Sequence, residues 1–158
     1  MFDTLMHIAF FTDHIDEMID FYVSKLGCKL KAVTRMKVYL NRPDRPKFQQ
    51  MAQQDPERIM NAYLEIAPGQ FIELFSAEEG QKKDEEPWNS RLGYSHFALV
   101  TDDIFAKVAE LKAKGVTCHG EPSKGPSETW QCWFSDPDGN RFEVMQYTEK
   151  SIQIVGNL

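Results

Sequence analysis

Two histidines and two glutamates recur in this chain at spacings that suit a metal site. His7 opens the stretch His7-Ile8-Ala9-Phe10-Phe11-Thr12-Asp13-His14-Ile15. His96 opens His96-Phe97-Ala98-Leu99-Val100-Thr101-Asp102-Asp103-Ile104. His, Ala, Thr, Asp and Ile return at one common offset. Further along each half, one carboxylate interrupts an apolar run. These are Glu73 in Phe71-Ile72-Glu73-Leu74-Phe75 and Glu143 in Arg141-Phe142-Glu143-Val144-Met145. A repeat that supplies one imidazole and one carboxylate per half reads as a four-ligand site for one divalent cation on a pseudo-two-fold axis. Such a donor set leaves two octahedral positions for water or substrate and suits Ni, Co, Zn, Mn or Fe. A single strand histidine is most often a satisfied core or surface residue. The joint pattern of four residues carries the reading. A carboxylate among Phe, Ile and Leu also needs a compensating partner, and a metal is one.

The elements that must hold these residues follow from periodicity. Residues 5–11 are β-branched and aromatic, as a strand requires. Asp13 offers a helix N-cap, and Ile15, Met18, Ile19, Tyr22, Val23 and Leu26 follow at helical spacing until Gly27. One or two strands are expected over 29–40. Residues 41–58 break the pattern with a turn-rich stretch and a polar, glutamine-rich segment that reads as a surface loop, a short helix or a lid. Residues 60–66 and 70–75 alternate as two strands of a hairpin around Pro68-Gly69. Residues 77–92 are charged and read as a linker, with Trp88 a candidate to close the mouth of a site.

The second half repeats the order. Residues 94–101 form a strand. Asp102 or Asp103 caps a helix that ends at Gly115, and a strand near 117–121 follows. Strands 129–135 and 141–147 are joined by the turn Asp136-Pro137-Asp138-Gly139-Asn140. Residues 149–158 read as a tail. The organisation expected is one domain with module one at 1–76, module two at 93–148, and βαβββ order in each. Strand parity puts His7 with Ala9 and Phe11, His96 with Ala98 and Val100, Glu73 with Phe71 and Phe75, and Glu143 with Arg141 and Met145. The opposite faces, including Met6, Ile8 and Phe10, are apolar, as under a packed helix. Trp130 and Trp133 face opposite sides of one strand. His14 and His119 are expected at the surface, outside the ligand set.

Composition narrows the partners. The chain has 158 residues, 42% of them apolar, with 24 acidic against 18 basic residues and a formal charge of −6. That balance, without a basic stretch, argues against nucleic acid and anionic membrane. The first apolar run, residues 5–11, is too short to span a bilayer and follows Asp3 rather than a basic region, so no signal peptide is expected. Cys28, Cys118 and Cys132 have no CxxC spacing and read as inert reduced thiols of a cytoplasmic protein.

With its doubled His strands, its Ile72-Glu73-Leu74 strand and its Asp136-to-Asn140 turn three residues before Glu143, the sequence resembles the vicinal oxygen chelate superfamily. This is the glyoxalase I, bleomycin resistance and extradiol dioxygenase group. The resemblance covers roughly residues 5–148. It implies an α+β fold of two βαβββ modules forming a cupped mixed sheet around a metal site, and a homodimer. It also implies a glyoxalase I-like lyase or isomerase acting on a small α-oxygenated carbonyl compound through a metal-stabilised enediolate. A carboxylate, Glu73 or Glu143, then moves a proton between adjacent carbons, and the resemblance favours Glu143.

The sequence departs from glutathione-dependent glyoxalase I where many members carry an Arg four residues after the first His; here that residue is Phe11. The Asn expected shortly after the first Glu is replaced by Ser76 and Ala77. Strict glutathione dependence is therefore not expected. Arg35, Lys37, Arg91 and Arg141 are the cations that remain to hold an anionic substrate. The competing readings are a dioxygenase, a thiol transferase or a non-catalytic binding and resistance protein of the same fold. The first two are disfavoured by the fourth ligand, Glu73, and the third by the complete ligand set.

Overall fold

The computed structural model describes residues 1–83, 86–87, 89–90 and 92–158, so Trp88, Arg91 and part of the expected linker lie outside the described residues. It divides into two compact units, Met1–Lys82 and Lys83–Leu158.

The first unit runs β1 (His7–Thr12), α1 (Ile15–Asp20), β2 (Lys29–Arg35), α2 (Pro46–Gln54), β3 (Ile59–Ala67) and β4 (Gln70–Ser76). Its sheet order is β1-β4-β3-β2. β1 and β4 are parallel, and the other pairs are antiparallel. Alternation in β1 buries Phe10 and Thr12 and leaves His7, Ala9 and Phe11 exposed. Ile72 and Leu74 of β4 are buried, and α1 lies over β4 and β3 with Ile15 and Met18 inward. α1 continues as a π-helical turn, Phe21–Lys25. Cys28 N–H closes onto Tyr22 O at 2.9 Å, and Gly27 takes the left-handed conformation (φ 77°) that this reversal needs.

Three expectations are corrected here. Asp13 does not cap α1. His14 holds the N-cap position without a side-chain cap bond, and its ring bonds Asp13 at 2.5 Å. Met6 is 53% exposed rather than packed under the helix. The strand structure expected over 29–40 ends at Arg35, while the short helix among the readings of 41–58 is α2. A 3₁₀ turn (Met36–Tyr39) packs against α2, with Tyr39 stacked on Phe48 at 5.0 Å and Met36 and Ala52 buried.

The second unit runs β5 (His96–Val100), α3 (Ile104–Ala113), β6 (Thr117–Cys118), β7 (Ser123–Lys124), β8 (Trp130–Ser135), β9 (Arg141–Gln146) and α4 (Ile152–Val155). The sheet path is β5-β9-β8-β6, with β7 also on β8 and β5 parallel to β9. This is the arrangement of the first unit written again. Asp103 caps α3, accepting from Ala106 N–H at 3.0 Å. Asp136 closes the β8–β9 turn, accepting from Asn140 N–H at 2.8 Å, and Gly139 supplies the positive φ of 82°.

The strand expected near 117–121 has only two residues, and β7 was not anticipated. The tail is docked rather than patternless. Ile152 N–H bonds Ser127 O at 3.0 Å, the Ser151 hydroxyl donates to Glu128 O, and Thr129 donates to Gln153 at 2.7 Å. No helix among the described residues is long and apolar enough to cross a membrane.

Leu74 is fully buried where β4 lies between β1 and β3. Leu74→Ala is expected to cost about 2–5 kcal/mol in urea unfolding. Phe11→Ala, at a residue 58% exposed, should cost under about 0.5 kcal/mol.

Candidate metal centre

Each unit brings its own histidine and glutamate into contact through the register of one parallel strand pair. In the first, His7 lies opposite Phe71 and Ala9 opposite Glu73. The imidazole therefore reaches diagonally over a methyl group, and His7 Nε2 sits 3.3 Å from Glu73 Oε2. In the second, His96 lies opposite Arg141 and Ala98 opposite Glu143, and His96 Nε2 sits 3.3 Å from Glu143 Oε2. Ala9 and Ala98 are both exposed, so the small side chains leave the approach to each pair open. The carboxylates are buried, Glu73 at 4% exposure and Glu143 at 7%, while both histidines are reachable from solvent.

The far side of each ring is also engaged. Ser95 Oγ meets His96 Nδ1 at 2.9 Å, and the Met6 thioether lies 3.4 Å from His7 Nδ1. A partner at Nδ1 turns Nε2 toward the carboxylate, as metal-binding histidines require.

The two carboxylates are held differently. Asn61 donates Nδ2 to Glu73 Oε1 at 2.7 Å. Tyr63, opposite Glu73 in the register, bonds the same carboxylate, and this contact raises the phenol above its ordinary value. Trp133 occupies the equivalent position opposite Glu143, with its ring 4.7 Å from that of His96. The Glu143 carboxylate is met by His96. Register places Asn61 and Tyr63 on the face of Glu73, and the shared spacing of Tyr63 and Trp133 before the two glutamates was the signal that sequence reasoning missed.

A buried carboxylate against a half-exposed imidazole is a donor set that fits a divalent cation. Two oxygens and one nitrogen per half, with room beside an alanine, match hard-to-borderline metals. Asn61 Oδ1 is buried without a partner beside Glu73, an acceptor poised for a donor not supplied by the protein. Within each unit, the histidine and the glutamate would be the residues that hold an ion.

The remaining candidates sort themselves. Arg35 and Lys37 both turn to Glu57, Lys37 Nζ at 3.0 Å from its carboxylate. Arg141 lies on the face of Glu143. Trp130 packs against Phe105 of α3 at 5.1 Å while Trp133 faces the carboxylate, the opposite orientations expected. The three cysteines are free, and burial pushes the thiols of Cys28 and Cys132 up to about 12, far from nucleophilic. His119 is not idle at the surface; its Nε2 lies 3.0 Å from Ser135 Oγ.

The chain belongs to the Glyoxalase/Bleomycin resistance protein/Dioxygenase superfamily, whose family model matches residues 4–144. It is 28% identical over 146 residues to the probable chloroplastic lactoylglutathione lyase of Arabidopsis thaliana, a match that covers 90% of this chain but only 35% of the plant protein. Among solved structures it is similar to a glyoxalase family protein from Enterococcus faecalis (TM-score 0.66, 22% identity, 91% of this chain and 98% of that one). It is also similar to the fosfomycin resistance protein FosX of Listeria monocytogenes (TM-score 0.60, 15% identity, 96% and 98%). At these identities the two structures establish the shared α+β fold.

Asn61→Ala leaves Glu73 Oε1 buried without its donor and is expected to lower stability by about 1–3 kcal/mol in urea unfolding. His119 is held below its ordinary value by desolvation first and by the Arg141 charge second. Because the folded value is the lower one, the unfolded chain binds the proton more readily. The stability His119 contributes is thus full above about pH 6.5 and is lost as pH falls through the folded value. Its ring proton resonances should titrate below about 6.5, and Arg141→Met should move that midpoint upward.

Proposed function

We propose that this protein is a metal-dependent lyase or isomerase of the glyoxalase I type, with His7, Glu73, His96 and Glu143 as ligands of one divalent ion. The observation that carries the reading is the pair of matched half-sites, each with Nε2 and Oε2 3.3 Å apart. Two unrelated structural ion pairs would have no reason to share register, distance and an alanine neighbour. The assembly that suits this reading is a homodimer, and the free thiols suit a reducing, cytoplasmic setting.

A bound ion would supply a Lewis acid that stabilises negative charge developing on the oxygens of a small α-oxygenated carbonyl compound. The chain's own residues divide the remaining work. Glu73, gripped by Asn61 and Tyr63, is suited to stay in place as a fixed ligand. Glu143 faces the indole of Trp133 where Glu73 faces a phenol, and its carboxylate is assigned the swing that takes a proton from one substrate carbon and returns it to the next. Trp133 supplies an apolar wall beside the pair, and the alanine keeps its approach open. Phe11, where glutathione-dependent relatives carry an arginine, speaks for a substrate other than the glutathione adduct. The length difference from the plant lyase also leaves that protein's full activity a separate matter.

Purified protein is expected to carry about one equivalent of divalent metal per four-ligand site, and His7→Ala and Glu143→Gln to lose it in metal analysis. Stoichiometric metal retained in both variants would end the proposal. A turnover screen of α-ketoaldehyde–thiol adducts and short hydroxyketones then identifies the substrate.

A further inference from the structure

On the face that carries the second His–Glu pair, the repeat loses its symmetry. Arg141 lies beside His96 on one side and Ser135 on the other, and it shares its face with Glu143. His119, just past β6, has its backbone N–H bonded to Trp133 O at 2.8 Å and its Nε2 3.0 Å from Ser135 Oγ. Ser135 joins Arg141, its register partner, to His119, its hydrogen-bond partner, in one cluster. In the first unit the same register positions beside His7 hold Phe71 and Glu65, and Glu65 is answered by Lys31 at 3.2 Å. The fold therefore works with an aromatic ring where the second unit has Arg141. The guanidinium, imidazole and hydroxyl are an addition that sheet pairing does not demand.

We propose that Arg141, His119 and Ser135 form a carboxylate-binding corner beside His96 and Glu143, which selects substrates carrying an acid group near their chelating oxygens. The planar fork of Arg141 matches a carboxylate in shape and keeps its charge at any working pH. The bonded His119–Ser135 pair leaves one donor for the ligand on one side. Neighbouring strands lie about 4.8 Å apart and same-face neighbours along a strand about 6.8 Å apart, which corresponds to an acid roughly two or three carbons from the oxygens at the ion. This inference rests on the reading of His96 and Glu143 as metal ligands.

The test is calorimetric titration of zinc-loaded protein with 5-hydroxy-4-oxopentanoate and with its amide, zinc content being measured on the same samples. The acid should bind about tenfold more tightly than the amide. Arg141→Met should abolish that preference with zinc content unchanged, and Arg141→Lys should keep part of it. His119→Ala should weaken the acid severalfold and leave the amide unchanged. Equal affinities in the wild type, binding of neither probe, or a preference that survives Arg141→Met overturns the proposal. If Arg141→Met does not fold by circular dichroism, the other two variants decide, and an undiminished preference in both overturns it. A protein without zinc overturns the metal reading alone. The same titration on the metal-free protein then decides the corner, for it if acid binding depends on Arg141 and against it otherwise.

Discussion

A carboxylate buried in a hydrophobic strand has to be answered by a neighbour that offers charge or protons, because neither water nor backbone reaches it. Glu73 lies between Ile72 and Leu74, and Glu143 between Phe142 and Val144, all four of them buried. In both units the answer comes from the adjacent parallel strand, one diagonal step away across an alanine. An imidazole alone is a weak answer at neutral pH, since it carries no fixed charge. A divalent cation, as proposed, would complete the answer at both pairs, beyond what Asn61 already gives Glu73. The surrounding architecture serves this step. Each helix buries the far side of its sheet, and the parallel pairing of first and last strands sets His against Glu.

The two halves then diverge by function. Asn61 and Tyr63 fix Glu73 with two donors, whereas Glu143 has an indole in the place of the phenol. The proposed reaction assigns Glu73 to keep its position and Glu143 to change it. The same divergence puts Arg141 where the first unit has Phe71, so duplicated strands came to carry different chemistry on a common frame.

Much of this was legible in the residues. The His strands, the Glu strands and the Asp136 turn are short-range patterns with unambiguous parity, so module order and strand faces followed from them. Regions governed by tertiary contact were not legible. Asp13 has the chemistry of a helix cap, yet its bond to the His14 ring takes it away. α4 and β7 form because Ser151, Thr129 and β8 hold them in place, which no local periodicity announces. Residues 36–54 are polar in sequence and still build a small core from Met36, Tyr39, Phe48 and Ala52. Within the site, Asn61 was hidden in an alternating strand because its partner lies across a hairpin.

The account stands or falls on whether one ion joins the two half-sites. Anomalous diffraction from crystals of the zinc-loaded protein locates such an ion directly. The predicted result is a single peak about 2.0–2.2 Å from each of His7 Nε2, Glu73, His96 Nε2 and Glu143, with the four donors drawn from one chain or from two copies. A peak bound to one His–Glu pair only, or zinc held elsewhere with both pairs unchanged, would contradict it.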